Sequence, residues 1–290
     1  MKQQLKLNCI FLITLLLFSF QSYALDKIKF ALKSNPKITA DYHGITKNGM
    51  ANGFGKAVFY LDGTFDGEYE GEWKDNDFHG KGVFKWQNGS IYEGQFAFSK
   101  RNGEGEFKWP NGNSYSGNWI NGAQHGEGVH KWTNGEKYSG SYIKGQQTGF
   151  GVYTWPNGNK YEGYWVDGLQ HGEGTFIWNS GDKYIGSFVE DKKSGIGTFY
   201  WANGNIYKGE WQDDKHHGKG TKTWANGNVY DGLWFNDNYH GNGTFTWSDG
   251  DKFVGEFVHG QRHGIGKMIL ADGRIQQGNY INDVLQIASN

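Results

Sequence analysis

Disulfide bonds cannot hold this protein together, because its sequence contains a single cysteine, Cys9. Proline is almost as scarce, with three residues in 290, and there is no Gly-X-Y period, so a collagen-like chain is excluded. Leucine, isoleucine and valine are also few beyond residue 24. A core built from aliphatic layers is therefore excluded as well.

The sequence is instead rich in glycine and aromatic residues. It contains 47 Gly, 13 Trp, 17 Tyr and 20 Phe, whereas glycine normally makes up about 7% of a chain. Disordered chains are poor in aromatic residues, so this composition indicates a folded protein whose aromatic core packs over glycine. The formal net charge of −1 leaves no basic domain, and we predict no nucleic-acid partner.

The first 24 residues have the pattern of an export signal. Residues 1–6 are short and basic, residues 10–20 are apolar, and residues 22–24 resemble a cleavage site with small residues at both ends. We therefore predict a signal peptide that is cleaved after Ala24, which makes the protein secreted, periplasmic or located in the cell envelope. An uncleaved membrane anchor is the alternative, although the apolar run is shorter than the roughly 20 residues that span a bilayer.

A 23-residue repeat fills most of the remaining chain. It starts with an aromatic residue, which is followed by glycine and by a second aromatic residue at alternate positions, as in Tyr69, Gly71 and Trp73. A Gly-x-Gly motif, a tryptophan and a pair of the Asn-Gly type complete the unit. The first position recurs at Tyr69, Tyr92, Tyr115, Tyr138, Tyr161, Tyr184, Tyr207, Tyr230 and Phe253. A fixed period of this kind is typical of a solenoid.

The repeat also divides the chain into segments. We predict an N-terminal capping segment at 25–41, the repeat array at 42–275 and a C-terminal cap of half a repeat at 276–290. The array begins with a weaker unit at Tyr42, and the last half-unit contains Tyr280. Degenerate terminal units of this kind are what a solenoid needs as caps.

Each unit has the pattern of a β-hairpin. Because successive side chains of a strand alternate between its faces, Tyr69, Gly71 and Trp73 share one face. Glycine there leaves room for a large ring to lie over the neighbouring strand. The Asn-Gly pair at 88–89 predicts a type I′ turn, which needs a positive φ at two residues. The Asp- and Asn-rich segment 74–78 predicts a longer turn.

Successive hairpins predict an all-β fold: an elongated single-layer antiparallel β-meander solenoid of about ten 23-residue hairpin repeats. One face of the sheet carries the aromatic residues. The opposite face carries Glu70, Glu72, Lys81 and Lys85 and is predicted to be solvated. A sheet of this length twists and curves, and we expect the aromatic face to lie inside the curve.

With Tyr-x-Gly-x-Trp, Gly-x-Gly and Trp-x-Asn-Gly in register at 23 residues, the chain resembles the MORN (membrane occupation and recognition nexus) repeat family over about residues 42–285. The resemblance implies an elongated, often dimeric β-solenoid that acts as a non-catalytic scaffold. It also implies association with a protein partner or with lipid headgroups at a membrane surface. Many members carry a catalytic domain, but the repeats fill this chain and leave no segment for one.

Three kinds of chemical site are disfavoured by the repeat. Equivalent histidines, such as His217 and His240, would lie about 9.5 Å apart, too far to share one metal ion. The Gly-x-Gly pairs recur in every unit and precede no helix, so packing explains them better than phosphate binding. Catalysis needs a unique site, and no repeat is singled out. We therefore predict no enzyme, no catalytic residue, no metal and no cofactor.

Two sets of residues remain as candidates for binding. The aromatic face could contact a ligand through Tyr69, Trp73, Trp86, Tyr92, Trp109, Tyr115, Trp119, Trp132, Tyr138, Trp155, Tyr161, Trp165 and Trp178. These residues could equally be only the core. Anionic lipid headgroups could meet Lys27, Lys29, Lys33 and Lys37, which could equally belong to a capping strand. An aromatic-rich array that binds cell-wall polysaccharide is the alternative function.

Overall fold

The computed structural model describes residues 25–32 and 35–286 of the chain. The signal peptide that we predict, with Cys9 and Ala24, lies outside the described residues, as do Lys33 and the last four residues. The strands are β1 Asp26–Leu32, β2 Asn35–Lys47, β3 Met50–Leu61, β4 Thr64–Lys74, β5 Asp77–Trp86, β6 Ile91–Ala97, β7 Lys100–Lys108, β8 Ser114–Ile120, β9 Ala123–Lys131, β10 Lys137–Ile143, β11 Gln146–Thr154, β12 Lys160–Val166, β13 Leu169–Ile177, β14 Lys183–Val189, β15 Lys192–Tyr200, β16 Ile206–Gln212, β17 Lys215–Thr223, β18 Val229–Phe235, β19 Asn238–Thr246, β20 Lys252–Val258, β21 Gln261–Ile269, β22 Ile275–Ile281 and β23 Val284–Gln286.

These 23 strands form one antiparallel sheet in which each strand pairs with its neighbours in the sequence. The predicted β-meander of hairpin repeats is therefore confirmed. Over residues 25–32 and 35–286, the structure has no helix long and apolar enough to cross a membrane.

A row of paired glycines runs along the sheet from β2 to β22. In the first full repeat, Gly71 of β4 lies opposite Gly82 of β5, and the same pairing recurs in every later repeat, as at Gly163 and Gly174. A Cβ atom built on Gly82 would lie 2.3 Å from the hydroxyl oxygen of Tyr69. The tyrosine ring therefore lies directly against both glycines, as the sequence predicts, and no other residue leaves enough space.

The two edges of the sheet have different turns. The type I′ turn and the longer loop each lie at the edge where the sequence predicts the other. At 88–89, Gly89 has a φ of 87° but Asn88 has no positive φ. The amide of Trp86 donates to the carbonyl of Ser90 at 2.9 Å, so the predicted type I′ turn is wrong here. The connection is the three-residue loop in which a left-handed glycine follows a type I turn.

The type I′ turn lies at the opposite edge of the sheet. The predicted longer turn at 74–78 has only two residues between strands, Asp75 and Asn76, whose φ values are 52° and 70°. Aspartate and asparagine tolerate this left-handed conformation better than other non-glycine residues. The Asp- and Asn-rich composition of this edge therefore reflects tight turns.

The sheet has a groove on each face. The larger one, of about 1110 Å³, lies on the polar face, which we define by Glu70, Glu72, Lys81, Lys85 and their equivalents, and it runs from β3 to β10. The sequence predicts that the aromatic face lies inside the curve of the sheet, and this stays a prediction. Tyrosine rings already fill the space over the glycine row on that face, and the strands bend at bulges next to that row. The larger open concavity is therefore on the other side.

Candidate functional site

The predicted aromatic binding residues separate into a buried set and a half-buried set. The tyrosines Tyr69, Tyr92, Tyr115, Tyr138 and Tyr161 are 0% exposed. Trp73, Trp119 and Trp165 are buried as well. These eight residues form the core and present no surface to a ligand. Half-buried positions are held by Trp86, Trp109, Trp132, Trp155 and Trp178.

The hydroxyl of each of these five tyrosines donates a hydrogen bond to the carbonyl three residues later. The hydroxyl of Tyr161 donates to the carbonyl oxygen of Tyr164 at 3.0 Å, and Tyr115 makes the equivalent bond to Asn118 at 3.1 Å. Burial raises the pKa of Tyr115 to about 12. The hydroxyls therefore stay protonated at physiological pH and act as structural donors.

The half-buried tryptophans belong to a continuous stack of rings that the sequence did not reveal. Trp109 lies between Phe107 and His130, with ring centroids 4.7 Å and 5.1 Å away. His130 continues to Trp132 at 4.0 Å, with the two rings within 3° of parallel. The stack connects each repeat to the next and extends from Phe84 to Trp201. The rings of the stack therefore pack against one another.

A carbohydrate that stacks on tryptophan needs an open ring face. Each of the five half-buried tryptophans has a neighbouring ring on either side along the stack, as Trp155 has Tyr153 at 4.5 Å and Phe176 at 5.3 Å. Neighbouring rings therefore compete with a ligand for the faces of these tryptophans. The tryptophan stack is better arranged to stabilise the sheet than to bind a polysaccharide.

Nine of the residues that line the groove on the polar face are charged. Six glutamates and three lysines take part, namely Glu68, Glu70, Glu93, Glu104, Glu106, Glu127, Lys56, Lys81 and Lys85. Lys56 pairs with Glu68 at 2.7 Å, whereas Glu93 lies directly opposite Glu106 on the adjacent strand. Like charges in that register repel each other. The groove therefore has an excess of negative charge.

Beyond the groove, the polar face becomes apolar. Phe150 of β11 lies directly opposite Tyr164 of β12, with ring centroids 5.7 Å apart and exposed fractions of 50% and 51%. Ile196 of β15 is 62% exposed on the same face. Two exposed aromatic rings in contact are unusual on a solvated surface and are typical of an interaction site.

The comparison with protein families agrees with this geometry. The sequence profile of the MORN repeat matches nine consecutive segments of 23 or 21 residues: 69–91, 92–114, 115–137, 138–160, 161–183, 184–206, 207–229, 230–252 and 253–273. The chain belongs to the MORN repeat family. MORN repeats are scaffold modules that associate with proteins or membranes.

Comparisons with whole proteins add little to the MORN assignment. No curated protein sequence matches the chain. A complex of the SAS-4 (dCPAP) TCP domain of Drosophila melanogaster with a proline-rich motif of Ana2 (dSTIL) is similar at a TM-score of 0.32 and 14% identity, covering 61% of this chain and 84% of that one. Virginiamycin B lyase from Staphylococcus aureus is similar at 0.16 and 11% identity, covering 89% of each chain. No functional inference rests on scores this low.

The MORN array also contains a row of basic side-chain types on its aromatic face, which the sequence analysis missed. Lys193, His216 and Arg262 occupy equivalent positions in three repeats and lie among aromatic rings. Each is close to an aspartate at a type I′ turn 21 residues later: Lys193 to Asp214 at 3.1 Å, His216 to Asp237 at 3.1 Å and Arg262 to Asp283 at 3.0 Å. Aligning the repeats by position would have shown each of these residues 21 positions before an aspartate.

His216 is the most deeply buried member of this row. Its ring lies 3.9 Å from Tyr207, 4.7 Å from Trp211 and 5.0 Å from Trp234. Burial lowers the pKa of His216 to about 4, with Asp237 acting in the opposite direction. The folded protein therefore holds this histidine neutral, although an unfolded chain protonates it near pH 6.5.

We expect acid to destabilise the MORN array through His216. The unfolded state takes up the proton first, so stability is lost as the pH falls from about 6.5 towards 4, by about 2 kcal/mol at pH 5 relative to neutral pH. Urea unfolding at pH 7.5 and pH 5 measures the loss in the wild type and in His216→Gln. Gln170 occupies the equivalent position, so the variant should fold and show a smaller loss. An equal loss in both proteins would contradict the assignment.

Two of the N-terminal lysines that were candidates for contact with lipid have local partners. Lys29 pairs with Asp41 at 3.2 Å, and Lys37 lies 4.0 Å from Asp62. Lys27 is exposed on β1. Across the described ranges, no group of three or more His, Cys, Asp or Glu side chains is arranged to hold a metal ion.

Proposed function

We propose that this protein is a non-catalytic MORN scaffold, exported to the cell envelope or secreted, that binds a protein partner across its polar face. The observation that carries the proposal is the exposed, paired rings of Phe150 and Tyr164, which lie next to the charged groove on the same face. A rim of charge around a small apolar centre is how protein interfaces are generally composed.

Membrane association has less support than a protein partner. Anionic headgroups attract continuous basic surfaces, whereas the groove on the polar face has more glutamates than lysines. Two of the N-terminal lysines that suggested lipid contact lie beside aspartates. The polysaccharide alternative also has less support, because the half-buried tryptophans are stacked on one another.

The proposal is tested by a photo-crosslinking amino acid placed at Tyr164 in the native host. We expect illumination to give a discrete adduct with a second protein, since this position lies at the centre of the proposed contact. The Phe150→Ser substitution in the same chain should abolish the adduct. The matched control places the crosslinker at Phe98, which is exposed at a turn and lies away from Tyr164; it should give no such adduct.

The outcomes separate the partners. An adduct of twice the mass of the chain identifies a second copy as the partner. No adduct from Tyr164, together with cosedimentation of the purified protein with anionic vesicles, would overturn the proposal in favour of membrane association. Retention on cell-wall polysaccharide without an adduct would favour the alternative function.

Export is tested separately by the mass of the protein recovered from cells. We expect the mature chain to begin at Leu25 and to be found outside the cytoplasm, because of the signal-peptide pattern of residues 1–24. A protein that keeps Met1, or one that stays in the cytoplasm, would contradict this part of the proposal.

A further inference from the structure

A second groove lies on the aromatic face, near the N-terminal end of the array. Its volume is about 510 Å³, and its apolar wall is formed by Leu32, Ile38 and the half-buried Trp86 over a floor of buried phenylalanines. Sites for small molecules are typically apolar, have volumes of about 300–1,000 Å³ and contain a few polar groups that orient the ligand. This groove has the size and the walls of such a site.

Arg101 supplies the polar group of this groove. Its guanidinium carbon lies 4.3 Å from the ring centroid of Trp119 and 4.8 Å from that of Phe107. The Nη2 atom donates to the carbonyl oxygen of Gly122 at 2.6 Å. In the described part of the chain, no carboxylate pairs with this guanidinium. Burial lowers the pKa of Arg101, which reflects the loss of solvation of its charge.

Among the Lys, Arg and His residues at this position of the repeat, Arg101 alone has no aspartate 21 residues later, whereas the uncharged Gln170 is also followed by one, Asp191. Where the equivalent position holds Lys193, His216 or Arg262, the residue 21 positions later is Asp214, Asp237 or Asp283. Where the later residue is glycine, at Gly145, Gly168 and Gly260, the equivalent position holds an uncharged side chain, namely Gln124, Gln147 and Tyr239. Arg101, followed by Gly122, combines a cation with a turn that lacks the acid.

A partly buried cation is costly unless an anion compensates for it. The aromatic rings around Arg101 offset part of that cost through cation–π contact. The space of the missing aspartate adjoins the apolar groove, because Arg101 and Gly122 both line it. Among the groove's charged residues, Lys100 adds a second cation and Asp66 is the one acid.

We propose that this groove binds a small apolar molecule that carries one carboxylate, and that the carboxylate pairs with Arg101 in the place of the missing aspartate. The apolar part of the ligand lies against Leu32, Ile38 and the half-buried ring of Trp86. A medium-chain fatty acid has the required size and charge. This site is on the aromatic face, so it is independent of the protein partner proposed for the polar face.

The test is titration of the purified protein with decanoate in a calorimeter. We expect wild-type protein to bind decanoate and to bind decyltrimethylammonium, which has the same chain and the opposite charge, at least about tenfold more weakly. Arg101→Gln should weaken decanoate binding by about tenfold or more, because the charge-assisted hydrogen bonds are lost. Gln124 and Gln147 occupy equivalent positions, so this variant should fold.

Gly122→Asp is the decisive variant, because it supplies the missing acid from the chain itself. Asp214, at the equivalent turn position, has a φ of 69°, so aspartate fits the conformation that Gly122 adopts at 86°. We expect Gly122→Asp to weaken decanoate binding as much as Arg101→Gln does, while its thermal midpoint is not lowered. Lys193→Gln, which removes a cation that already has a partner, should leave binding unchanged.

Two results would overturn the proposal. One is the absence of any heat with wild-type protein at two well-separated temperatures, because apolar burial changes the heat capacity and gives heat at one of them. The other is equal decanoate affinity in the wild type, Arg101→Gln and Gly122→Asp, which would mean that the apolar walls bind the chain without regard to charge. Neither result bears on crosslinking from Tyr164, so failure here is distinguishable from failure of the proposed function.

Discussion

Replacing Tyr161 by alanine should lower the free energy of unfolding by about 3–5 kcal/mol, as expected for removal of a large buried aromatic side chain. The ring is 0% exposed and makes edge contacts with Trp165 at 5.2 Å and Phe188 at 5.1 Å. It also covers Gly163 and Gly174. Alanine would leave a cavity over the glycine row that no neighbouring ring is positioned to fill. Urea unfolding followed by far-ultraviolet circular dichroism measures the change.

Tyr161→Phe is the matched control for this prediction. It keeps the ring and removes only the hydrogen bond to the carbonyl oxygen of Tyr164, so we expect a loss of about 1 kcal/mol. Phe253 already occupies the equivalent position in the last full repeat without a hydroxyl. If Tyr161→Phe were as destabilising as Tyr161→Ala, the hydroxyl rather than the ring packing would dominate, contrary to this account.

Gly163→Val should destabilise the protein by about 3 kcal/mol or more, because it overpacks a site that has no free space. A Cβ atom at this position would lie 2.5 Å from the hydroxyl oxygen of Tyr161 and 2.6 Å from the Cα atom of Gly174. The second contact is with backbone, which cannot move aside without breaking the strand pairing. The same urea experiment measures the loss.

Gly168→Asn controls for the general effect of replacing a glycine. Gly168 lies in a type I′ turn with no atom near its missing side chain and with a φ of 83°. Asn76 holds the equivalent turn position at 70°. We therefore expect this variant to change stability by less than about 1 kcal/mol. A large loss here, or none at Gly163→Val, would show that the packing of tyrosine over glycine does not control stability.

The sequence predicted the fold because the two residue types that form one packing contact recur with the same period. Tyrosine and glycine recur two residues apart, so the same pattern that places a ring on one face also provides the space beneath it. The strands, their antiparallel order and the two faces follow from that relation. The signal from a single repeat would be weak, and nine repetitions make it decisive.

The turn types could not be predicted from the turn residues alone, because the strand register sets how many residues each turn contains. Pairing of Gly82 with Gly94 places Lys85 opposite Ile91 and leaves five residues between that pair. Trp86 and Ser90 pair within that gap, so three residues remain for the loop and a two-residue turn does not fit. The tight turns occur where the register leaves two residues, as at Asp75 and Asn76.

The candidate sites were less predictable than the fold. The period drew attention to what every repeat shares, whereas the grooves and the exposed rings depend on where repeats differ. Among the nine full repeats, Phe150 and Tyr164 are aromatic where no equivalent residue is, and Arg101 differs from Lys193 and Arg262 in having no aspartate 21 residues later. A comparison of repeats column by column for charge and size would have found Arg101 with Gly122, although not the volume of the groove beside them.

Each strand of this sheet pairs only with its neighbours in the sequence, and that arrangement sets how the protein would respond to force. A chain held at β1 and β23 is a tether whose two attachment points lie at opposite ends of the sheet. Tension would peel hairpins away from an end, one at a time, because every strand pairing in residues 25–32 and 35–286 joins neighbours in the sequence. Each repeat of 23 residues would lengthen the tether by about 70 Å as it opens and could close again when tension falls. We therefore expect the hairpins to unfold in steps under tension while the rest of the array stays folded.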